Sequence, residues 1–189
     1  MPTFTLVAGP NGSGKSTLTA ALTFEGRANV VDPDAIARTL NPNNPSRAAI
    51  AAARQAVVRC RTLLKHRESF VLESTLAGHG ALTLMRAAKG AGYRTLLIYV
   101  ALGNPELHIE RVRLRVSQGG HDIPDTDIRR RYGRSLLHAP EALRLADEAV
   151  VLDNSGPRPV RVVMLKGGQT IWRTGSVPSW VQQLALPVE

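Results

Sequence analysis

Gly9-Pro10-Asn11-Gly12-Ser13-Gly14-Lys15-Ser16 is the stretch on which the fold turns. It satisfies the spacing G-x-x-x-x-G-K-S/T in the context that gives the spacing a mechanical meaning. Before it runs Phe4-Thr5-Leu6-Val7-Ala8, short and apolar, which reads as a buried strand; behind it a helical pattern extends from Lys15 to about Leu22. Glycines let successive backbone N–H groups turn inward as an anion nest, and the free N–H groups and positive dipole end of the helix add to it. Lys15 then reaches the β- and γ-phosphates of ATP or GTP, and the Ser16 hydroxyl coordinates a bridging Mg²⁺. The competing reading, a flexible glycine turn with a surface lysine, has to ignore the strand on one side and the helix on the other.

Outward from the loop, short apolar runs alternate with helical patterns. Strands are expected at Asn29–Val31, at Ser69–Leu72, at Thr95–Leu102 and at Ala149–Leu152. Helices are expected from Ser46, as N-cap, to about Arg67, after Thr75 to about Gly90, from Asn104-Pro105 to about Ser117, and from about Asp125 to Leu137. Val160–Leu165 and Thr170–Trp172 flank Lys166-Gly167-Gly168-Gln169 as a β-hairpin, packed by default with Trp180 against the sheet. The alternation predicts an α/β P-loop fold with a mostly parallel central sheet flanked by helices. Ligands of such sheets bind at the carboxyl ends of the strands, and polar residues follow the first three strands directly.

The chain has 189 residues, with 43% hydrophobic and 21% charged, and is expected to form one kinase-sized domain over 1–189. No apolar run is long enough for a bilayer and no leader pattern is visible, so a cytoplasmic protein is expected. The single Cys60 has no disulfide partner and reads as a packing residue. Net charge is +9, which fits either a nucleic-acid surface or a cationic pocket for phosphorylated metabolites. Aromatic residues make up only 4%, leaving few platforms for stacked bases, and the arginines are scattered except between Arg111 and Arg134. Nucleic acid is therefore the less favoured partner; a polynucleotide kinase or nucleic-acid-associated ATPase stands as the alternative.

A phosphate loop does not name a reaction. No Asn/Thr-Lys-x-Asp base-reading motif, ordered Ser-Gly-Gly-Gln signature or long coiled-coil insertion is found, which argues against GTPases, ABC-type ATPases and coiled-coil repair ATPases. Small kinases need a carboxylate after the second strand and an arginine-rich lid, and this chain has both. Asp32 and Asp34 follow that strand: spacing alone leaves open which is the base for an acceptor hydroxyl and which caps the next helix. Glu73 ends the third strand, where it can orient metal-bound water or an acceptor hydroxyl. Arg111 with Arg115, and Arg131 with Arg134, are helical neighbours on either side of Gly119-Gly120-His121-Asp122, a lid over about 105–137 that could bring guanidinium groups onto the γ-phosphate. His121 is read as a loop-packing residue.

Gly9–Thr17, Val31-Asp32-Pro33-Asp34, Leu72-Glu73-Ser74-Thr75, Arg115–Pro124, Arg130–Leu136 and Val151–Gly156 together resemble the zeta-toxin group of P-loop kinases, in its compact bacterial branch. The resemblance covers nearly the whole chain, and Gly119-Gly120-His121 with Arg131-Tyr132-Gly133-Arg134-Ser135-Leu136 is its most specific part. It implies an ATP- and Mg²⁺-dependent kinase whose acceptor is a sugar hydroxyl of a nucleotide-linked metabolite such as UDP-N-acetylglucosamine, with a separate antitoxin as partner. It implies ATP binding along Gly9, Pro10, Asn11, Gly12, Ser13, Gly14, Lys15, Ser16 and Thr17, and Asp34 as the base. It places Glu73, Thr75 and Arg134 on the substrate side, with Arg115 as the first lid arginine and, for the second, Arg131 preferred to Arg134, which also fits. The classical zeta toxins, unlike the compact branch, carry Glu-Gly-Thr where this chain has Glu73-Ser74-Thr75, and they are longer and lack the Gly-Gly-His loop.

Overall fold

The structure, a computed structural model, describes residues 1–23 and 25–186. Among them lie seven strands in one sheet: β1 (Thr3–Ala8), β2 (Val30–Val31), β3 (Phe70–Ser74), β4 (Arg94–Ala101), β5 (Glu148–Asp153), β6 (Val160–Lys166) and β7 (Gln169–Arg173). The helices are α1 (Lys15–Ala21), α2 (Pro33–Leu40), α3 (Pro45–Lys65), α4 (Gly80–Gly90), α5 (Pro105–Ser117), α6 (Asp125–Leu145) and α7 (Ser179–Gln182), with a 3₁₀ turn at Arg27–Asn29. The sheet order is β2-β3-β1-β4-β5-β6-β7. The first five are parallel, and the terminal hairpin extends the sheet with two antiparallel strands beyond β5.

Every residue of β1 is buried, as befits a central parallel strand covered on both faces. Phe4 stacks on Phe70 at 4.8 Å between ring centroids, and Leu6, Leu72, Leu97 and Val151 continue the core across the sheet. Met85 of α4, Leu143 of α6 and Cys60 of α3 join it from the helices. Cys60 is 1% exposed, and burial pushes its thiol up to about 11, so it is an inert packing group as expected. Trp180 is fully buried 6.2 Å from the Tyr99 ring.

The chain builds β2 and β3 on one side of β1 and then crosses to build β4 and β5 on the other. The switch point therefore lies at the carboxyl end of β1, where the phosphate loop begins.

Three boundaries differ from the sequence reading. The long helix α3 starts with Asn44 at the N-cap position and Pro45 as its first residue, so Ser46 is already helical. Proline's fixed φ and missing N–H suit that first position better than serine's hydroxyl suits the cap. Helix α4 begins at Gly80, because Leu76 is left-handed at φ 54° and its N–H donates to Ser74 Oγ at 3.0 Å, which holds the segment after β3 in a turn. Helix α6 runs on to Leu145 through Pro140. Proline removes one helical bond, but Leu136, Ala139, Ala142 and Leu143 are buried around it, and that packing retains the helix.

Candidate active site

The loop after β1 is fixed by close backbone contacts. A Cβ on Gly9 would lie 1.9 Å from Val100 O, and one on Gly12 would lie 2.7 Å from His108 O; both glycines have positive φ. Gly9 N–H donates to Ser74 O at 3.1 Å, tying the loop to β3. On the other side Asn154, just after β5, donates from Nδ2 to Ser13 O at 2.9 Å, and Arg111 donates to the Asn154 carbonyl at 2.6 Å. Arg111 is thereby committed to the scaffold and is not free to act in a lid.

His108 of α5 is a second tether. It is fully buried; its Nε2 accepts from Leu102 N–H at 3.1 Å, so the ring proton is on Nδ1 and donates to Asn11 O at 2.7 Å. Burial pushes its pKa down to about 4, and the ring bridges β4 and the loop as a neutral group. Neither His108 nor Asn154 was singled out as a site residue from the sequence. The only trace of His108 was a histidine on the same helical face as Val112.

Lys15 donates from Nζ to Gly9 O at 2.9 Å and to Pro10 O at 3.0 Å. Burial lowers its pKa, opposed by the nearby charges of Asp34, Glu73 and Asp32, with Arg115 adding to the lowering. Ser13 Oγ is buried with no hydrogen-bond partner among the described residues. An ammonium held by two loop carbonyls and a buried hydroxyl without a partner, in a loop whose glycines adopt positive φ, are what a polyphosphate would complete, so the residues fit ATP.

Ser16 Oγ donates to Glu73 Oε2 at 2.8 Å, and Glu73 is only 4% exposed. Burial raises the Glu73 pKa, while hydrogen bonds from Ser16 and Thr19 pull it down and the Asp32 charge raises it. Among the described residues no group of three or more His, Cys, Asp or Glu side chains could hold a metal alone. Mg²⁺ in kinase-type sites takes one or two protein oxygens and completes its shell with phosphates and water, so Ser16 with Glu73 and Asp32 close by fits that ion.

The two aspartates after β2 divide. Asp32 is the N-cap of α2: Oδ1 accepts from Asp34 N–H at 2.9 Å, and Oδ2 faces Arg38 at 3.6 Å. Asp34 is exposed, is the strongest of the carboxylate charges acting on Lys15, and lines a 170 Å³ chamber with Arg131 and His121. Arg131 donates to Asn11 Oδ1 at 3.2 Å, directly onto the phosphate loop. Arg115 donates to His121 O at 2.7 Å, and its Nε is buried without a partner. The His121 ring meets Ser46 Oγ at 3.0 Å, joining the loop between α5 and α6 to the first turn of α3.

Lys15, Ser16, Glu73, Asp34, Arg115 and Arg131 are thus brought to one place. Arg134 is not: it is exposed and makes no hydrogen bond or ion pair among the described residues. Thr17 is exposed on the first turn of α1, and Thr75 is half-buried beyond the end of β3; neither side chain is bonded to the others.

A glycine-lined anion nest at a switch point, with a carboxylate after the second strand and guanidinium groups from two later helices, defines a P-loop nucleotide-binding protein of kinase-like architecture. The model of the family described as an AAA domain matches residues 4–137, and the chain belongs to that family. An uncharacterized protein of Haemophilus influenzae is 37% identical over 124 residues, 66% of this chain and 88% of that protein. Among solved structures, AvrRxo1-ORF1:-ORF2 with ATP superposes with TM-score 0.73 at 13% identity, over 98% of this chain but only 63% of the other. The PezAT chromosomal toxin-antitoxin system of Streptococcus pneumoniae superposes with TM-score 0.59 at 14% identity, over 87% of this chain and 71% of the other. At such identities these likenesses establish the fold, which is the one the sequence predicts. No described helix is long and apolar enough to cross a membrane.

Proposed function

We propose that the protein is an ATP-dependent phosphotransferase that moves the γ-phosphoryl group to a hydroxyl of a nucleotide-linked metabolite, with a sugar hydroxyl of a UDP-sugar as the leading candidate. The observation that carries this is the partition of Asp32 and Asp34. One carboxylate is consumed by the N-cap, and the other is left free beside Lys15, where a base for the acceptor hydroxyl is needed.

In this reading the loop amides and Lys15 hold the polyphosphate, and Asp34 accepts the proton of the attacking hydroxyl. Arg115 and Arg131, on the lid formed by α5 and α6 within 105–137, neutralise charge on the phosphoryl group in transit. Ser16, with Glu73 behind it, would hold Mg²⁺, which would supply charge neutralisation at the polyphosphate. Arg134 and Thr75 remain candidates on the acceptor side, reached when the lid closes. The fold likeness to the PezAT toxin-antitoxin system supports a separate antitoxin as partner.

The test is transfer of labelled γ-phosphate from ATP to UDP-sugars, NAD, sugar phosphates, hydroxy acids, nucleosides and oligonucleotides, with Lys15→Ala as blank. A labelled UDP-sugar or NAD is expected. Label on oligonucleotides alone would transfer the explanation to the +9 charge.

A further inference from the structure

Beside the phosphate loop lies a cleft of about 600 Å³ along the free edge of β2, walled by α1, α2 and α3. The 170 Å³ chamber next to Asp34 is too small for a metabolite, whereas about 300–1,000 Å³ is usual for small-molecule sites. The cleft has a charge gradient. Ser16, Glu73 and Asp32 line one end; Gln55 and Arg59, one helical turn apart on α3, and Arg27 line the rest, with Val30, Ile36 and Leu40 as apolar wall.

The strand register orders these groups. Val30 pairs with Val71 and Val31 with Leu72, so Asp32 comes level with Glu73 at the carboxyl end of the sheet. A Cβ on Gly26 would touch Phe70 N at 2.5 Å, so the neighbouring Arg27 sits at the level of Phe70. From Phe70 to Glu73 is three residues of strand, roughly 10 Å at about 3.3 Å each. Arg27 spends one N–H on Ala20 O at 2.6 Å at the end of α1. Arg59 is exposed and has no ion pair or side-chain hydrogen bond among the described residues, although other arginines of this chain, such as Arg86, Arg94, Arg113, Arg129 and Arg130, are paired with carboxylates.

We infer that this cleft seats the acceptor, and that the acceptor is an anion whose phosphate or carboxylate is taken by Arg59 with Arg27 while its hydroxyl reaches past the Ser16–Glu73–Asp32 end of the cleft toward Asp34, two residues beyond Asp32. The inference rests on the kinase reading and adds the acceptor's class and the residues that read it. A guanidinium binds two oxygens of either group, so both anions share one recognition chemistry. The apolar wall accommodates a carbon skeleton between the two ends.

The experiment is calorimetric titration of protein saturated with Mg²⁺ and AMP-PNP, so that the phosphate loop is filled. The probes are glucose 6-phosphate, gluconate, UDP-N-acetylglucosamine and neutral glucose, tested on the unaltered chain and on Arg59→Gln, Arg59→Lys and Arg27→Gln. Binding of at least one anionic probe is expected, at least tenfold weaker in Arg59→Gln, partly restored in Arg59→Lys, with glucose unbound. Whether glucose 6-phosphate or gluconate binds separates phosphate from carboxylate. Absence of binding by all three anions, or equal binding in Arg59→Gln with an unchanged melting temperature, overturns the inference. Arg59-dependent binding without label transfer would leave the cleft assignment standing and remove the kinase reading; label transfer to an acceptor whose KM ignores Arg59 would do the reverse.

Discussion

The two ends of the active region are built differently. Around the phosphate loop most groups are committed: Gly9 to Ser74, Asn11 to His108 and Arg131, Ser13 to Asn154, Ser16 to Glu73. Along the β2 edge Arg59 has no ion pair or side-chain hydrogen bond among the described residues, and the exposed Asp34 side chain in the neighbouring chamber has none either. A rigid cradle suits a ligand part that is the same in every turnover, and backbone amides fixed by long-range tethers need no reorganisation when charge develops. A wall of unsatisfied side chains suits the part of the reaction that distinguishes one enzyme from its relatives. On the proposed reading, the contrast assigns common chemistry to the β1 end and selectivity to the β2 edge.

The largest expected effect breaks the cradle. Lys15→Ala should lower kcat/KM for ATP-dependent transfer by about a thousandfold or more, since a charge directed at the moving phosphoryl group is lost. Retained transfer in a labelled-phosphate assay would mean that the cradle is not the reaction site.

Next come the paired aspartates. Asp34→Asn should reduce kcat by about 10²–10⁴ with little change in melting temperature. Asp32→Ala should instead cost about 1 kcal/mol of stability through the lost cap, read as a lower midpoint in urea. Equal kinetic losses from the two would erase the partition seen at α2.

The third prediction concerns the His108 tether and acid. Its folded pKa of about 4 lies below the ordinary histidine value, so the unfolded chain binds the extra proton first as pH falls. The stabilising contribution is fully present above about pH 6.5 and is lost progressively toward pH 4, a loss of about 3 kcal/mol from this group. Urea midpoints across that window should fall, and the slope should flatten in His108→Phe. That variant also leaves Asn11 O and Leu102 N–H unpaired, at about 1–3 kcal/mol each.

The smallest effect separates two arginines three residues apart. Arg131→Ala should cost about tenfold or more in kcat, because it removes a cation lying against Asn11. Arg134→Ala should leave kcat within about twofold, because its side chain is exposed and unbonded among the described residues, and any acceptor-side role should show as a raised KM for the acceptor instead. The reverse order in steady-state kinetics would show that the lid closes with a different face inward.

The loop spacing, the strand-helix alternation and the carboxylates after β2 and β3 were legible because each is local. A nest, an N-cap or a buried strand announces itself within a few residues. Asn104-Pro105 was read correctly for that reason, and its side chain does cap α5 through Leu107 N–H at 3.0 Å. The misread start of α3 is also local, but Pro45 overrode the serine signal, and the left-handed Leu76 delays α4 to Gly80. The reach of α6 past Leu137 depended on burial that no window around Pro140 displays.

By itself, the sequence determined the fold class, the phosphate cradle and the inventory of charged groups that could serve it, because glycine spacing and apolar periodicity are properties of neighbours along the chain. Which arginine meets the loop and what holds the loop's shape were decided by the tertiary structure. Those outcomes rest on pairs separated by 97, 120 and 141 residues, His108 with Asn11, Arg131 with Asn11 and Asn154 with Ser13, and only the packed sheet and its helices bring such partners within a hydrogen bond.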